Sequence, residues 1–395
     1  MRIVCISASQ VPSTTANSIQ AMKACQALAQ TGHQVHLLLP ALPAQSGKQT
    51  ASFPDLASAY GLNTPFPIEW LAAHPRMRRY DFSLSAIRRA KTLKADLVYV
   101  WPMQAAVLAL LQGLPVVLEM HGPPEGRFGP LLFRLFLRLP GVKRILPITR
   151  ALLTILERDY AFPGKISRQK DQFAVIAPNG IDLERYQDLP TPAQARLALG
   201  LPDIPTIAYS GSLYPGRGMA LLIALARQFP RTNFLWIGGR PDDLQTWRTR
   251  LAEERLANVT LTGFIDNRQL PRYQAAGDIL LMPYEHSIAG SSGGNSAEYC
   301  SPMKMFEYMA CGRAIISSDL PVIREVLNEA NAVLCPPEDE PAWCTALEDL
   351  LAAPERRQAL SLRARGDVAA YTWQARARKA LASLEIKTSS GVKIP

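Results

Sequence analysis

The sequence predicts an α/β protein made of two doubly wound parallel-sheet domains. Its 395 residues exceed what one compact core usually holds, so two domains of about 150 to 200 residues are expected. Short, almost continuously apolar runs alternate with amphipathic helical patterns, as they do in parallel sheets built from βαβ units. Hydrophobic residues make up 48% of the chain and charged residues 19%, a composition that excludes a disordered or fibrous protein.

Six strands are predicted in each half of the chain. Those of the first half are residues 3–7, 35–40, 97–101, 116–120, 145–148 and 174–177. Those of the second half are residues 206–210, 234–238, 259–263, 279–283, 314–317 and 332–335. Between the two series, residues 185–205 contain four prolines around a short helical piece at 193–199, which predicts an interdomain linker. The predicted domains are therefore residues 1–190 and 191–370.

Positive charge is concentrated in the first part of the chain. Residues 1–170 carry 20 basic and 8 acidic side chains, whereas the rest carries 23 basic and 25 acidic ones. Such an excess attracts an anionic surface or acceptor, although basic side chains that only solvate helices are an equal alternative. No nucleic-acid recognition motif accompanies the charge, so nucleic acid is not expected as a partner.

Two basic segments are the candidates for contact with an anionic surface. The first is a cluster of seven cations: Arg76, Arg78, Arg79, Arg88, Arg89, Lys91 and Lys94. The second, residues 128–150, alternates Leu and Phe with Arg and Lys. A basic amphipathic helix of this kind can lie on an anionic bilayer, and a helix buried against the sheet is the alternative.

The cysteines and the apolar stretches bear on the cellular compartment. The six cysteines are scattered, with no CxxC pair, which favours reduced thiols in a cytoplasmic protein. The apolar run at the start of the chain is too short for the hydrophobic region of a signal peptide. No apolar stretch reaches the 18 residues that a transmembrane helix needs. We therefore expect a cytoplasmic protein that does not span a membrane.

Two segments have the features of phosphate-binding sites. Residues 301–312 predict a helix with Ser301 at the N-cap and Pro302 at the first position, which offers free N–H groups to an anion. Lys304 adds a charge in its first turn, and Glu307 can accept hydrogen bonds from ribose hydroxyls; a surface ion pair between these two is the alternative. The glycine-rich residues 211–218 follow a predicted strand and contain Arg217, whose guanidinium suits phosphate oxygens.

The small-residue segment 285–299 also follows a predicted strand. Its position favours a mobile active-site loop, and a simple spacer is the alternative.

These motifs together resemble the retaining glycosyltransferases of the GT-B fold, the family 4 or "group 1" class. PNGID at 178–182, SPMKMFEYMACG at 301–312 and GSLYPGRG at 211–218 are similar to family motifs, and so are the opening loop 12–18 and GHQV at 32–35. YTW at 371–373 and the following helix match the family's C-terminal segment. The resemblance implies two Rossmann-like domains facing a cleft, with residues 371–395 crossing back onto the first domain.

The resemblance also implies roles for individual residues. Arg217 and the N-terminus of the 301–312 helix would hold the diphosphate of a nucleotide-sugar donor, and Glu307 would hold the ribose. His121, in EMHG at 119–122, would face the donor sugar near the reaction centre. The remaining donor-side residues are Gly211, Ser212, Ser301, Pro302, Met303, Lys304, Glu298 and Tyr299, and the acceptor-side residues are Thr15, Ala16, Asn17 and Ser18.

The chain departs from the family pattern at two positions. Ser212 stands where the family often has Arg, and Tyr299 stands where the first Glu of its EX7E pair is expected. Glu298 lies one residue earlier, and backbone groups of residues 292–295 are the other candidates for binding sugar hydroxyls. These departures motivate an alternative function, a non-catalytic nucleotide-sugar or polysaccharide-binding GT-B subunit.

The activity implied by the resemblance is sugar transfer with retained anomeric configuration. Cations and the helix dipole would assist departure of the nucleoside diphosphate, and the lack of an Asp-x-Asp pair fits a site with no metal. The nucleotide sugar is a substrate, and no cofactor is expected. A glycan or lipid-linked acceptor is expected, with peripheral contact at the inner face of the membrane. A sugar-nucleotide epimerase would need acid and base carboxylates that the motifs do not supply.

Overall fold

The computed structural model describes residues 1–41, 51–77, 79–288, 295–387 and 393–394. The chain divides into two compact units, each with its own parallel sheet. The first unit combines Met1–Asn179 with Trp373–Pro395, and the second is Gly180–Thr372.

The described elements alternate between strands and helices. In the first part of the chain they are β1 (Arg2–Ile6), α1 (Ala16–Gln30), β2 (Gln34–Ala41), α2 (Phe53–Tyr60), β3 (Ile68–Ala72), α3 (Tyr80–Thr92), β4 (Leu97–Val100), α4 (Met103–Leu111), β5 (Val116–Met120), α5 (Gly129–Arg138), β6 (Lys143–Pro147), α6 (Arg150–Asp159), α7 (Gly164–Arg168) and α8 (Lys170–Phe173). They continue as α9 (Pro192–Leu199), β7 (Thr206–Ser210), α10 (Met219–Gln228), β8 (Asn233–Ile237), α11 (Pro241–Glu253), β9 (Val259–Gly263), α12 (Leu270–Ala275), β10 (Ile279–Met282), α13 (Met303–Cys311), β11 (Ala314–Ser318), β12 (Val333–Cys335), α14 (Glu340–Ala352), α15 (Pro354–Asp367), α16 (Trp373–Leu381), β13 (Ile386–Lys387) and β14 (Lys393–Ile394).

The two large sheets have the same topology. The first has the strand order β3-β2-β1-β4-β5-β6 and the second β12-β11-β10-β7-β8-β9, with parallel pairing throughout. This is the doubly wound order with one reversal at the centre, between β1 and β4 in one unit and β7 and β10 in the other. The strands beside each reversal are buried on both faces, which explains their continuously apolar sequences. The expected α/β class with two Rossmann-like sheets is confirmed.

Most predicted strands are found within one or two residues of their expected bounds, and those at 116–120, 206–210 and 259–263 match. The strand predicted at 174–177 is wrong. This segment runs along β6, but only Ala174 forms a ladder bridge. The edge strand β3 was not predicted, because its side chains are half-buried and its sequence lacks a continuous apolar run.

The predicted linker at 185–205 is folded into the second unit. Tyr186 is buried and donates to Gln274, and Arg196 of α9 pairs with Asp278 at 3.0 Å. The unit boundary therefore lies between Asn179 and Gly180 rather than near 190. The chain leaves the second unit after Thr372, and α16 packs on α1 of the first unit.

Candidate active site

The loops that follow β7 and β10 carry the predicted phosphate-binding residues. These two strands are neighbours at the reversal of strand order in the second unit. Loops at the carboxyl ends of such strands diverge to opposite faces of the sheet and leave a crevice in which ligands bind. The glycine-rich segment follows β7, and the segment leading to α13 follows β10. The topology thus brings the two motifs to one sheet edge.

Two cations lie side by side among tyrosine rings at this edge. The Arg217 guanidinium carbon is 4.9 Å from the ring centre of Tyr214 and 5.0 Å from that of Tyr284. The Lys304 ammonium is 4.0 Å from the ring centre of Tyr209 and 5.4 Å from that of Tyr284. Cation–π contacts hold both side chains in place while leaving their charge without a counter-ion.

Neither cation forms an ion pair with any residue that the structure describes, and the buried Nε of Arg217 has no hydrogen-bond partner among them. Arg217 donates to the Tyr214 hydroxyl, at 2.8 Å. The surface ion pair considered for Lys304 and Glu307 is therefore not formed. An uncompensated pair of half-buried cations is unfavourable by itself and favourable once an anion binds.

Gly211 is needed for Lys304 to reach this position. Its φ of 143° is one that side-chain-bearing residues rarely adopt, and a Cβ there would lie 2.7 Å from the Lys304 Nζ. Ser212, the next residue, is exposed, and its carbonyl accepts from the Tyr209 hydroxyl at 2.7 Å. The backbone of this loop, rather than the Ser212 side chain, shapes the site.

The protonation of the site follows from burial. Burial lowers the pKa of the Lys304 ammonium well below its usual value, the neighbouring Arg217 lowers it further, and Glu307 opposes the shift. Burial also raises the pKa values of Tyr209 and Tyr284, although Arg217 partly offsets both shifts. The two phenols are therefore neutral at neutral pH and supply no negative charge to the cations.

Glu307 is held by a buried polar network one turn along α13. Gln274 donates from Nε2 to the Glu307 carboxylate at 3.1 Å and to the Ser210 hydroxyl at 3.0 Å. The amide oxygen of Gln274 accepts from Tyr186, and Ser210 is bonded to Tyr308. Because every member of this network is positioned by another, the carboxylate is preorganised.

The N-terminus of α13 differs from the prediction by one residue. Pro302 is the N-cap, with ψ of 127°, and the helix begins at Met303, so Ser301 is not the N-cap. The residue before a proline is disfavoured in helical conformation, which keeps the buried Ser301 outside the helix. The expected helix end at Gly312 is found, in the left-handed conformation.

The candidates for the missing first Glu lie in a turn before α13. Glu298 is exposed, and Tyr299 is half-buried with its N–H donating to the Ser296 carbonyl at 3.2 Å. Glu298 makes no side-chain hydrogen bond with the residues that the structure describes. Of residues 292–295, only Asn295 lies within the described part of the chain; it donates to His286 and accepts from Ile288 and Ala297.

His121 lies in the first unit, directly after β5. Its Nε2 is 2.6 Å from the Glu119 carboxylate, and 22% of its side chain is exposed. Glu119 is fully buried and also contacts Arg376 of α16 and the Tyr99 hydroxyl. Burial raises the pKa of Glu119, but Arg376, His121 and Tyr99 together outweigh it and hold the pKa at about 2.

The predicted acceptor-side residues are at the start of α1. Thr15 is the N-cap residue, and Thr15, Ala16 and Asn17 are exposed. Ser18 is instead fully buried, and its hydroxyl donates to the carbonyls of Ser13 and Thr15. Ser18 therefore shapes the loop from inside, while the other three residues reach the surface.

Of the two basic segments, the second contains an exposed apolar strip. Helix α5 buries Phe133 and Phe136, yet 62% of Leu131 and 39% of Leu135 remain exposed, beside the exposed Arg134. Helix α5 is thus buried on one face, as the buried alternative expects, and exposed on the other. In the first basic segment, Arg89 pairs with Glu69 and Lys91 with Gln112, and Arg78 lies outside the described residues.

Two family models match the chain in succession and together span most of it. One, described as "Glycosyltransferase Family 4", matches residues 19–185, and the other, described as "Glycosyl transferases group 1", matches residues 204–353. The chain belongs to the group 1 glycosyltransferases. It is an enzyme of the class that transfers a sugar from a nucleotide sugar to a glycan or glycolipid acceptor.

Curated relatives of this glycosyltransferase include two mycobacterial mannosyltransferases. The phosphatidyl-myo-inositol mannosyltransferase of Mycolicibacterium smegmatis is 26% identical, with 94% of this chain and 90% of that protein aligned. The GDP-mannose-dependent alpha-(1-6)-phosphatidylinositol monomannoside mannosyltransferase of the same organism is 28% identical, over 72% and 75%.

Solved structures show the same GT-B fold. Anabaena HepE in complex with UDP superposes with a TM-score of 0.71 at 16% identity, covering 97% of this chain and 99% of that one. A glycosyltransferase from Rickettsia africae superposes with a TM-score of 0.74 at 12% identity, over 96% and 97%. At these identities the likeness concerns the fold alone.

Three residues that hold the candidate site residues of this glycosyltransferase were not predicted from the sequence. Tyr284 lies two residues after the end of β10, and its place close to a strand end was an available signal. Gln274 and Arg376 had no such signal in the sequence. Gln274 is distant in sequence from Glu307, which it holds, and Arg376 is distant from Glu119. Within the described ranges, no cluster of three or more His, Cys, Asp or Glu residues could hold a metal ion, and no helix is long and apolar enough to cross a bilayer.

Proposed function

We propose that this enzyme is a retaining glycosyltransferase that binds the diphosphate of its nucleotide-sugar donor between Arg217 and Lys304, without a metal ion. The observation that carries the proposal is the pair of half-buried cations that lack a counter-ion at the edge where β7 and β10 end. A diphosphate supplies the missing negative charge. The first N–H groups of α13 add to the same positive potential.

These groups have a direct role in the chemistry. When the bond to the donor sugar breaks, negative charge develops on the departing diphosphate, and fixed cations in a site with little water stabilise that charge. Glu307, held by Gln274, accepts hydrogen bonds from the ribose hydroxyls. The acceptor hydroxyl attacks on the face from which the diphosphate leaves, which retains the configuration, and the leaving phosphate takes its proton. His121 contacts the donor sugar.

The acceptor is proposed to be lipid-linked. The relatives named as phosphatidylinositol mannosyltransferases support this class of acceptor. The exposed leucines and arginines of α5 support contact of the first unit with an anionic membrane surface. Thr15, Ala16 and Asn17 are the proposed acceptor-side residues.

The donor site is tested by a thermal-shift panel with UDP, GDP, ADP and their common sugar conjugates. A ligand that binds the folded state raises the melting temperature by mass action. We expect one nucleotide to give a clear shift. Arg217→Ala should weaken its binding by about 1–3 kcal/mol, the range for a lost charged hydrogen bond, and Glu307→Ala should also reduce the shift.

Arg250→Ala is the matched control, because Arg250 also lies over an aromatic ring, that of Trp247, but is exposed elsewhere on the second unit. Its affinity should equal that of the wild type. Unchanged affinity in Arg217→Ala would place the diphosphate elsewhere. Nucleotide binding without donor turnover in the wild type would favour the non-catalytic binding subunit instead.

A further inference from the structure

The first unit contains a buried charged cluster that joins the sheet to the C-terminal helix. Arg376 of α16 contacts both oxygens of the Glu119 carboxylate, at 2.8 and 3.1 Å. Tyr99 of β4 donates to the same carboxylate and lies 3.1 Å from Arg376. Arg376 also donates to the Pro178 carbonyl at 2.8 Å. Arg376 and Tyr99 thereby fix the carboxylate from two sides.

A buried ion pair of this kind is a weak source of stability. The cost of removing both charges from water commonly cancels their attraction, and well-packed apolar side chains often do as well. Stability alone therefore does not explain a fully buried Glu119 at a strand end. Its remaining contact is with His121, whose Nε2 lies 2.6 Å from the Glu119 Oε1.

This contact determines which nitrogen of His121 carries the proton. A carboxylate that is ionised can only accept hydrogen bonds, so Nε2 must be the donor. Nδ1 makes no hydrogen bond with the described residues, and the ring is partly exposed. In the neutral ring Nδ1 is consequently a free acceptor.

We infer that Glu119 is a positioning residue, which keeps the His121 proton on Nε2 and presents Nδ1 to a hydroxyl of the bound sugar, and that Arg376 holds Glu119 for this purpose. This inference rests on the proposed function, in which His121 contacts the donor sugar. A ligand hydroxyl would donate to Nδ1. The C-terminal helix thus contributes to the site through Arg376 without touching the substrate.

The tautomer can be measured without any ligand. The chain has five histidines, and the ¹⁵N signals of His121 are assigned by their loss in His121→Gln. In neutral His121 of the wild type we expect a protonated Nε2 and a bare Nδ1. A wild-type ring protonated at Nδ1 would overturn the inference outright, whatever the variants do.

Glu119→Gln and the charge-balanced double variant Glu119→Gln/Arg376→Met separate positioning from folding. The single variant leaves Arg376 buried without a counter-ion, whereas the double variant removes both charges. In the folded double variant we expect a mixed tautomer. We also expect kcat to be lower by about 10- to 100-fold, the range for loss of an orienting hydrogen bond, with the donor KM little changed.

The outcomes are distinct. Recovery of both melting temperature and kcat in the double variant would show a structural role and overturn the inference, as would an unchanged tautomer. A fully active His121→Gln variant would contradict the proposed role of His121, while the tautomer measurement would still decide the positioning by Glu119. Arg196→Met/Asp278→Asn, which removes an ion pair of the second unit, is the control and should leave the His121 signals unchanged.

Discussion

At the scale of single residues, the proposed donor site depends on charges that the protein leaves without a counter-ion among the described residues. Lys304 lies against the Tyr209 ring and beside Gly211, in surroundings that favour its neutral form. Arg217 stays charged at any accessible pH, because a guanidinium does not lose its proton under these conditions. The two cations therefore respond differently to pH.

This difference predicts a pH-dependent affinity for the nucleoside diphosphate. The pKa of Lys304 is lowered in the free enzyme, and a bound diphosphate raises it, so binding takes up a proton. Affinity should be full below the lowered pKa of the free enzyme and should fall as the pH rises above it. Calorimetric titration of the nucleotide from about pH 6 to about pH 9, in buffers of different ionisation enthalpy, measures both effects.

Two substitutions at position 304 serve as controls. Lys304→Arg keeps a charge that does not titrate, so it should remove most of the pH dependence while binding is retained. Lys304→Met should bind more weakly and show no proton uptake from this source. Proton uptake that persists unchanged in Lys304→Met would contradict the assignment to Lys304.

At the scale of elements, the site depends on the close packing of the loops after β7 and β10. Gly218, the N-cap of α10, lies against Pro283 at the end of β10, and its N–H donates to Glu285 at 3.1 Å. A Cβ at Gly218 would come within 2.0 Å of the Pro283 carbonyl oxygen. Backbone atoms cannot yield as a flexible side chain can, so this glycine is required for space as well as for conformation.

Gly218→Ala should therefore destabilise the protein by about 2–5 kcal/mol, the sum of left-handed strain and overpacking. Gly200→Ala is the matched control. Gly200 has φ of 65° against 70° for Gly218, but no atom lies within 4 Å of its Cβ position. Only the strain of about 1–2 kcal/mol should remain there. Urea unfolding of both variants measures the difference, and equal losses of stability would contradict the steric argument.

At the scale of the whole molecule, the excess of positive charge lies in the first unit. The positive excess belongs to residues 1–170, within the first unit, and α5 of that unit exposes Leu131 and Leu135 next to Arg134. Apolar insertion and attraction to anionic headgroups add together on such a surface. Salt screens the second contribution.

We expect the protein to float with anionic vesicles of phosphatidylglycerol and phosphatidylcholine at low salt. Leu131→Asp/Leu135→Asp should reduce the bound fraction to that found with neutral vesicles. Leu197→Asp/Leu362→Asp is the control, since both leucines are more than 60% exposed but lie in the second unit. Equal binding by the two double variants, or no binding by the wild type, would refute the membrane contact.

The sequence by itself determined the α/β class and the two parallel sheets, and it predicted the segments of the proposed donor site. These properties are local, because continuously apolar runs mark strands buried on both faces, and Pro302 and Gly312 mark the limits of one helix. The edge strand β3 was not predicted, because a half-buried strand has no continuous apolar pattern in its sequence.

Only the tertiary structure decided how the side chains of the site are held. Arg217 and Lys304 are 87 positions apart and meet over one Tyr284 ring, and Gln274 reaches Glu307 from a different helix. Arg376 pairs with Glu119 across 257 positions. Such contacts depend on the strand order and on packing between distant elements, and neither periodicity nor a motif encodes them. The physical reason is that burial removes water from a charged side chain. Each buried charge then depends on the partner that the fold brings to it.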